Sequence, residues 1–273
     1  MQETQRMVSQ LDEFKTRQRA LWDNGEYGAL SPFIADVGER VVARAGIKLD
    51  MNVLDVACGT GNAAIPAARA RAQVTGLDFV SKFLKQAQAK AEAERLDIEW
   101  REGDVENLPF EEGRFDRVLS TFGHMFAPRH DRTAREMARV CRRGGAIVTA
   151  TWVPDGTVGE IFKVSKEYMP PPPDYASPPI LWGREDHVRE LFATVATSFE
   201  FERHVNRIKW ESLDGFADFF MARFPIMVTA RAMLGDRFGE MRERVVEIWR
   251  RANEASDGSL SLPQQYLLSL IRL

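Results

Sequence analysis

The stretch VLDVACGTGNAA, residues 53–64, reads as an apolar strand running into a glycine turn and then a helix. Gly59 and Gly61 let the backbone approach a ligand without a Cβ in the way. A helix opening there, at Asn62, turns N–H groups and a positive end outward. Working outward, strand and helix patterns alternate. Strands are expected at 51–57, 73–78, 98–103, 115–121 and 145–152, with helices at 62–71, 81–95 and 130–142. The stretch ENLPFEEGRF replaces a further helix with a short loop. Such alternation implies right-handed crossovers and an α/β architecture, a doubly wound and mainly parallel sheet covered on both faces.

The flanks are of another kind. Residues 3–22 read as a helix with Met7, Leu11, Phe14, Gln18 and Leu21 near one face. Ser31-Pro32 reads as N-cap and first helical position of a second helix, striped by Ile34, Val37, Val41 and Val42 and ended by Gly46. Beyond Trp152 come a helix at 157–168, the stiff insertion PPPPDYASPPILWG and the helix REDHVRELFA. A strand at 199–210 follows, then two or three helices between Ser212 and Ala255. LSLPQQYLLSLIRL reads as a strand or a short helix. Residues 1–273 are expected to form one domain: a helical cap over 1–47, a core over 48–153, and sheet completion with a lid over 154–273.

Composition narrows the function classes. The 273 residues are 44% hydrophobic and 28% charged, as in an ordinary globular protein. A net charge of −3 supplies no basic field for nucleic acid or anionic membrane. The N-terminal stretch is charged and no apolar run is long enough to span a bilayer, so a cytoplasmic protein without membrane insertion is expected. Cys58 and Cys141 read as free thiols, Cys58 packed in the turn and Cys141 in a helical stretch. No His, Cys and carboxylate cluster has metal-ligand spacing, and no metal is expected.

Asp78, ending VTGLD, stands where a carboxylate accepts both hydroxyls of a ribose, which points to an adenosine ligand. Gly59-x-Gly61-x-x-Ala64 loosely fits a dinucleotide pattern. Against NAD stand Asp55, which would repel a pyrophosphate, a second acidic point at Gly103-Asp104-Val105, and the two helices before the first strand. Plainer readings stand beside these: Asp55 as a helix cap, Asp78 as a strand-end turn residue, Asp104 as half of a Gly-Asp turn pair.

Four stretches, VLDVACGTGN, VTGLDFVSKFLKQA, EWREGDVENLPFEEGRFDRVLS and RTAREMARVCRRGGAIVTATW, together resemble the class I S-adenosylmethionine-dependent methyltransferases. The resemblance covers roughly residues 50–152 and is nearest to the branch related to the ubiquinone/menaquinone-biosynthesis enzymes. It implies a Rossmann-like methyltransferase fold and S-adenosylmethionine as cofactor. It further implies that Asp55 through Gly61 cradle the methionine portion and ribose, with Asp78 on the ribose hydroxyls and Phe79 against the adenine. Asp104 would accept from the adenine amino group, and the Val105 N–H would meet a ring nitrogen. Thr121 and Phe122 would border the methyl group, and Trp22 and Tyr27 resemble the aromatic segment that folds over the cofactor. Ala57 departs from the glycine often found there.

The expected function is in-line methyl transfer to a small organic acceptor, hydrophobic or aromatic in character, with no nucleic-acid partner. The alternatives are an RNA or protein methyltransferase, or a protein that holds the cofactor without turnover. His124, at the carboxyl edge of the sheet, is the candidate general base, against a plainer reading as a loop histidine. His130 reads as a capping or surface residue. Arg132, Arg135, Arg139 and Arg142 repeat at helical spacing and read as a solvated face before a phosphate-binding one. FADFFMARFPIMV carries too many apolar groups for a surface helix, so it packs on the core or lines an acceptor pocket.

Overall fold

The computed structural model describes residues 2–273, with side chains from Ser9 onward. Met7, counted above on the first helix's apolar face, lies outside the described side chains. The strands are β1 (Asn52–Val56), β2 (Gln73–Asp78), β3 (Ile98–Glu102), β4 (Phe115–Thr121), β5 (Cys141–Trp152), β6 (Ser198–Trp210) and β7 (Leu260–Arg272). They form one sheet in the order β3-β2-β1-β4-β5-β7-β6. β1 to β5 pair in parallel, and β7 runs antiparallel between β5 and β6. The sheet reverses its winding beside β1, so the loops after β1 and β4 open a crevice at its carboxyl edge.

Helices α1 (Gln2–Asp23), α2 (Tyr27–Leu30) and α3 (Ala35–Ala45) precede the sheet. The crossovers carry α4 (Ala64–Arg69), α5 (Ser81–Ala93) and α6 (His130–Val140). After β5 come α7 (Thr157–Tyr168), α8 (Glu185–Phe192), α9 (Leu213–Arg223), α10 (Pro225–Leu234) and α11 (Phe238–Ala252). Val53, Leu54, Val118, Leu119, Ile147 and Val148 are fully buried in the main core, because strands covered on both faces have no wet side. A second apolar cluster joins α7, α9, α10 and α11 around Phe216, Met221, Met241 and Trp249. Among the described residues, no helix is long and apolar enough to cross a membrane.

Several boundaries differ from expectation for local reasons. The glycine turn extends to Ala63, and α4 starts only at Ala64. Ser31 begins a 3-10 turn and caps nothing, because its hydroxyl is drawn to Thr60, which donates to it at 2.8 Å. Cys141 is the first residue of β5, where it pairs with Phe115. The C-terminal apolar segment is a strand. Ala57 lies at φ 50°, in the left-handed region that penalises a Cβ by roughly 1–2 kcal/mol. Ala57→Gly relieves that cost against glycine's greater chain entropy. It is expected to stabilise the fold by about 0.5–1 kcal/mol and raise the Tm by roughly 2 °C in scanning calorimetry.

Candidate active site

At the carboxyl edge the structure holds a deep cavity that leaves about 230 Å³ to the centre of a water-sized molecule, far beyond the roughly 10–15 Å³ of one bound water. Its inner wall carries Ala57, Gly59, Asp78, Phe79, Asp104, Val105, Thr121 and Phe122, with Trp22 and Tyr27 closing over them. Asp78 organises this wall. Its Oδ2 accepts the Gly59 N–H at 2.8 Å and its Oδ1 accepts the Val80 N–H at 2.9 Å. Each oxygen keeps a further lone pair for a hydroxyl. Burial, opposed by those N–H groups, pushes its pKa up to about 6. Thr121 Oγ1, also on the wall, is buried without a partner.

Three expected residues stand elsewhere. Asp55 lies beneath the turn, where its Oδ2 accepts the Ala64 N–H at 2.9 Å. Its carboxyl therefore caps α4 and does not reach the cavity wall, and burial pushes its pKa up to about 8. Gly61 also lies off the wall; at φ 86° it shapes the turn, and a Cβ there would press on Ile65 and Trp100 at 3.2 Å. The outward N–H groups expected of the turn are partly spent, since Gly61 N–H donates to the Cys58 carbonyl at 2.9 Å.

His124 is the larger correction. Phe122, at φ 63° and stacked on Trp152 at 3.7 Å, turns the chain back after β4. Gly123 keeps to the cavity wall, while the His124 ring is buried edge-on against Trp182 at 4.6 Å. Neither ring nitrogen has a partner, and burial holds the pKa down at about 3. Off the cavity wall and only weakly basic, the ring is not placed to take a proton from a ligand there. Relative to an unfolded pKa near 6.5, that depression stabilises the fold above pH 6.5 and is lost as pH falls towards 3. The apolar variant His124→Leu is therefore expected to gain about 2 kcal/mol on the wild type between pH 7.5 and pH 5. Thermal melts at the two pH values measure this, and an equal gap at both would remove the claim. His130 is buried too, its Nδ1 lying 3.0 Å from His187 Nε2.

Sequence reasoning missed Lys15. Its ammonium spans Asp104 at 2.5 Å and Glu106 at 2.6 Å, tying α1 to the loop after β3. Glu106 is fully buried and also paired with Arg129 at 2.8 Å. The available signal was a cation inside the apolar stripe of Leu11, Phe14, Gln18 and Leu21. The arginine repeat on α6 is internally engaged: Arg139 binds Glu136 and two carbonyls, and Arg132 and Arg135 sit near Glu136 and Asp131. Arg142, just beyond α6, pairs with Asp116. Cys58 has its thiol pushed up by burial, which suits a packed residue and not a nucleophile.

The outer wall comes from segments far apart in the chain: Phe33, then Ile161, Phe162 and Ser165 of α7, Phe220 of α9, Met227 of α10, Trp249 of α11 and Gln264 of β7. Phe220 and Met227 thus line the cavity, whereas Phe216 and Met221 from the same apolar run fill the second core. No residue of the proline run lines the cavity; Tyr175 there packs on Phe14 and donates to the Gln10 carbonyl, bracing α1 from outside. An adenosine ligand fits the inner wall, given a buried carboxylate with open lone pairs, an adjacent Phe79 ring and an unpartnered hydroxyl.

Comparison with known proteins agrees. The profile of a family described as a methyltransferase domain matches residues 53–145. An uncharacterized protein of Mycobacterium tuberculosis is 34% identical over 255 residues, 92% of either chain. Another from the same organism is 48% identical over 178 residues, so the match spans 65% of that relative's length. Demethylmenaquinone methyltransferase of Deinococcus radiodurans is 37% identical over 123 residues, 44% of this chain and 51% of that one. With the sheet order and the acidic points of the inner wall, these matches place the chain in the class I S-adenosylmethionine-dependent methyltransferase family.

Proposed function

We propose that the chain transfers the methyl group of S-adenosylmethionine, in line, to a small, uncharged and largely apolar acceptor held by the outer wall. One observation carries this reading. Among the described residues, the ionisable side chains on the cavity wall are Lys15, Tyr27, Cys58, Asp78 and Asp104, all at the glycine-turn end. A charged acceptor entering the apolar end would lose its water and find no partner.

When bound, the cofactor supplies a sulfonium methyl already activated towards nucleophiles. Asp78 would hold the ribose hydroxyls, with Phe79 against the adenine and Asp104 and Val105 on its polar edge. The backbone at Ala57 and Gly59 would run beside the methionine portion, and Thr121 and Phe122 would border the methyl end. Trp22 and Tyr27 would close over it. Trp22, with its ring 5.9 Å from Tyr27 and 4.8 Å from Phe126, is buried and shuts out water. Among the described residues no side-chain base stands on the outer wall, so the acceptor attacks through a lone pair it already carries, and any proton it must lose leaves after transfer, once the product reaches solvent. Catalysis is then positioning in a dry chamber, with the nucleophile held about 3 Å from the methyl carbon.

Calorimetry is expected to show binding of S-adenosylhomocysteine and none of NAD; tighter NAD binding would overturn the cofactor assignment. Incubation with methyl-labelled cofactor and a metabolite extract should then label a small, organic-soluble product. Label found only in RNA or protein would favour those acceptors, and binding without any transfer would leave a cofactor-holding protein.

A further inference from the structure

Gln264 is 7% exposed and lies on the cavity wall, on the strand face opposite Gln265, whose Oε1 accepts the Thr157 N–H at 3.2 Å. Among the described residues the Gln264 amide has no hydrogen-bond partner. Its atoms are not sealed off like the buried, unpartnered groups elsewhere in the protein, so a ligand in the cavity is within their reach. Trp249, on the same wall, has an indole N–H buried without a partner, and its ring stands edge-on to Phe220 at 5.2 Å. The surrounding wall is Phe33, Ile208 and Met227, with no charge among them.

The Gln264 amide offers one acceptor, its carbonyl, and donors in its NH2, while the Trp249 indole N–H is sealed from the cavity and its ring adds only apolar surface. A hydroxyl uses both ends of the amide, because it both gives and accepts. A carboxylate would lack a cation there, and an ammonium would lack an anion. Aromatic edges and faces suit a flat ring. We propose that Gln264 is the specificity-determining residue for the acceptor, and that the acceptor class is a flat, uncharged ring bearing a hydroxyl. The inference rests on the methyltransferase reading only for the name of the ligand; it concerns binding in the outer cavity.

The test uses the full chain saturated with S-adenosylhomocysteine, titrated calorimetrically with 2-naphthol, naphthalene and 2-naphthoate at pH 7. The naphthol should bind at least about ten-fold more tightly than naphthalene, the naphthoate most weakly. Gln264→Leu should bring the naphthol down to the level of naphthalene, with S-adenosylhomocysteine affinity unchanged. Where that variant does not fold, Gln264→Asn, which keeps the amide but withdraws it, should cut the preference to about three-fold or less. Naphthoate binding as tightly as naphthol, a preference untouched by either variant, or no binding of any probe would each overturn the proposal. Failure of the wild type to bind S-adenosylhomocysteine would count against the methyltransferase reading instead, and the first titration reads that separately.

Discussion

Gly59→Val is expected to abolish measurable binding of S-adenosylhomocysteine, a loss of more than about 100-fold, while circular dichroism stays that of the folded chain. Gly59 sits at φ 54° on the inner wall, and a Cβ built there would stand 3.3 Å from Tyr27 Cε1. Valine's two methyls extend past that point, into the Tyr27 ring or into the cavity. The left-handed backbone is also the region a β-branched residue tolerates worst. The strain falls on one turn while the sheet beneath keeps its packing, so the lesion is local. Gly59→Ala, with the contact but no branch, should lie between the two. Normal affinity in folded Gly59→Val would show that this turn is not where the ligand lies.

Asp78→Ala should weaken S-adenosylhomocysteine binding by about 1–3 kcal/mol, or 5- to 150-fold, through lost bonds to a charged acceptor. A pH profile makes the claim sharper. A raised pKa of about 6 means that the folded apo protein holds the carboxyl proton more tightly than the unfolded chain does. Its contribution to stability is therefore present below the unfolded value of 3.8 and is lost as pH rises through about 6. Binding runs the other way, because two hydroxyl donors need the ionised form. Affinity in the wild type should fall as pH drops below about 6, and Asp78→Asn should flatten that limb. An unchanged dissociation constant in Asp78→Ala would take the residue out of the site.

The parallel half of the sheet was legible because its signals are local. Apolar runs, the glycine turn after β1 and an acid at or near the end of each of the first three strands declare themselves within a dozen residues, as Val53 to Ala64 do. The outer wall was not, since Phe33, Phe162, Phe220 and Trp249 meet only through tertiary packing. Within FADFFMARFPIMV, nothing local tells Phe216, which is core, from Phe220, which lines the cavity. His124 shows the same limit at shorter range. Its position after β4 is readable, but the left-handed Phe122 and the distant Trp182 decide where its ring goes. Asp55 was readable both as an acid near the turn and as a helix cap; that its Oδ2 takes the Ala64 N–H in particular depends on α4 starting late.

Three apolar clusters meet at the cavity, the one around Trp22 and Phe83 lying between the other two, and this bears on descent. Most of the inner wall is carried by loops of the sheet and its main core, whereas much of the outer wall hangs on the helices gathered around Phe216 and Trp249. Tyr27 and Phe126 link that middle cluster to the main core, and Phe224 links it to the helical one. Substitutions farther out, around Met241 and Val245, have no neighbour in the main core and combine with changes there nearly additively. On the proposed reading, a lineage could exchange one acceptor for another by drift in the outer parts of α7, α9, α10 and α11 without relearning its grip on the cofactor.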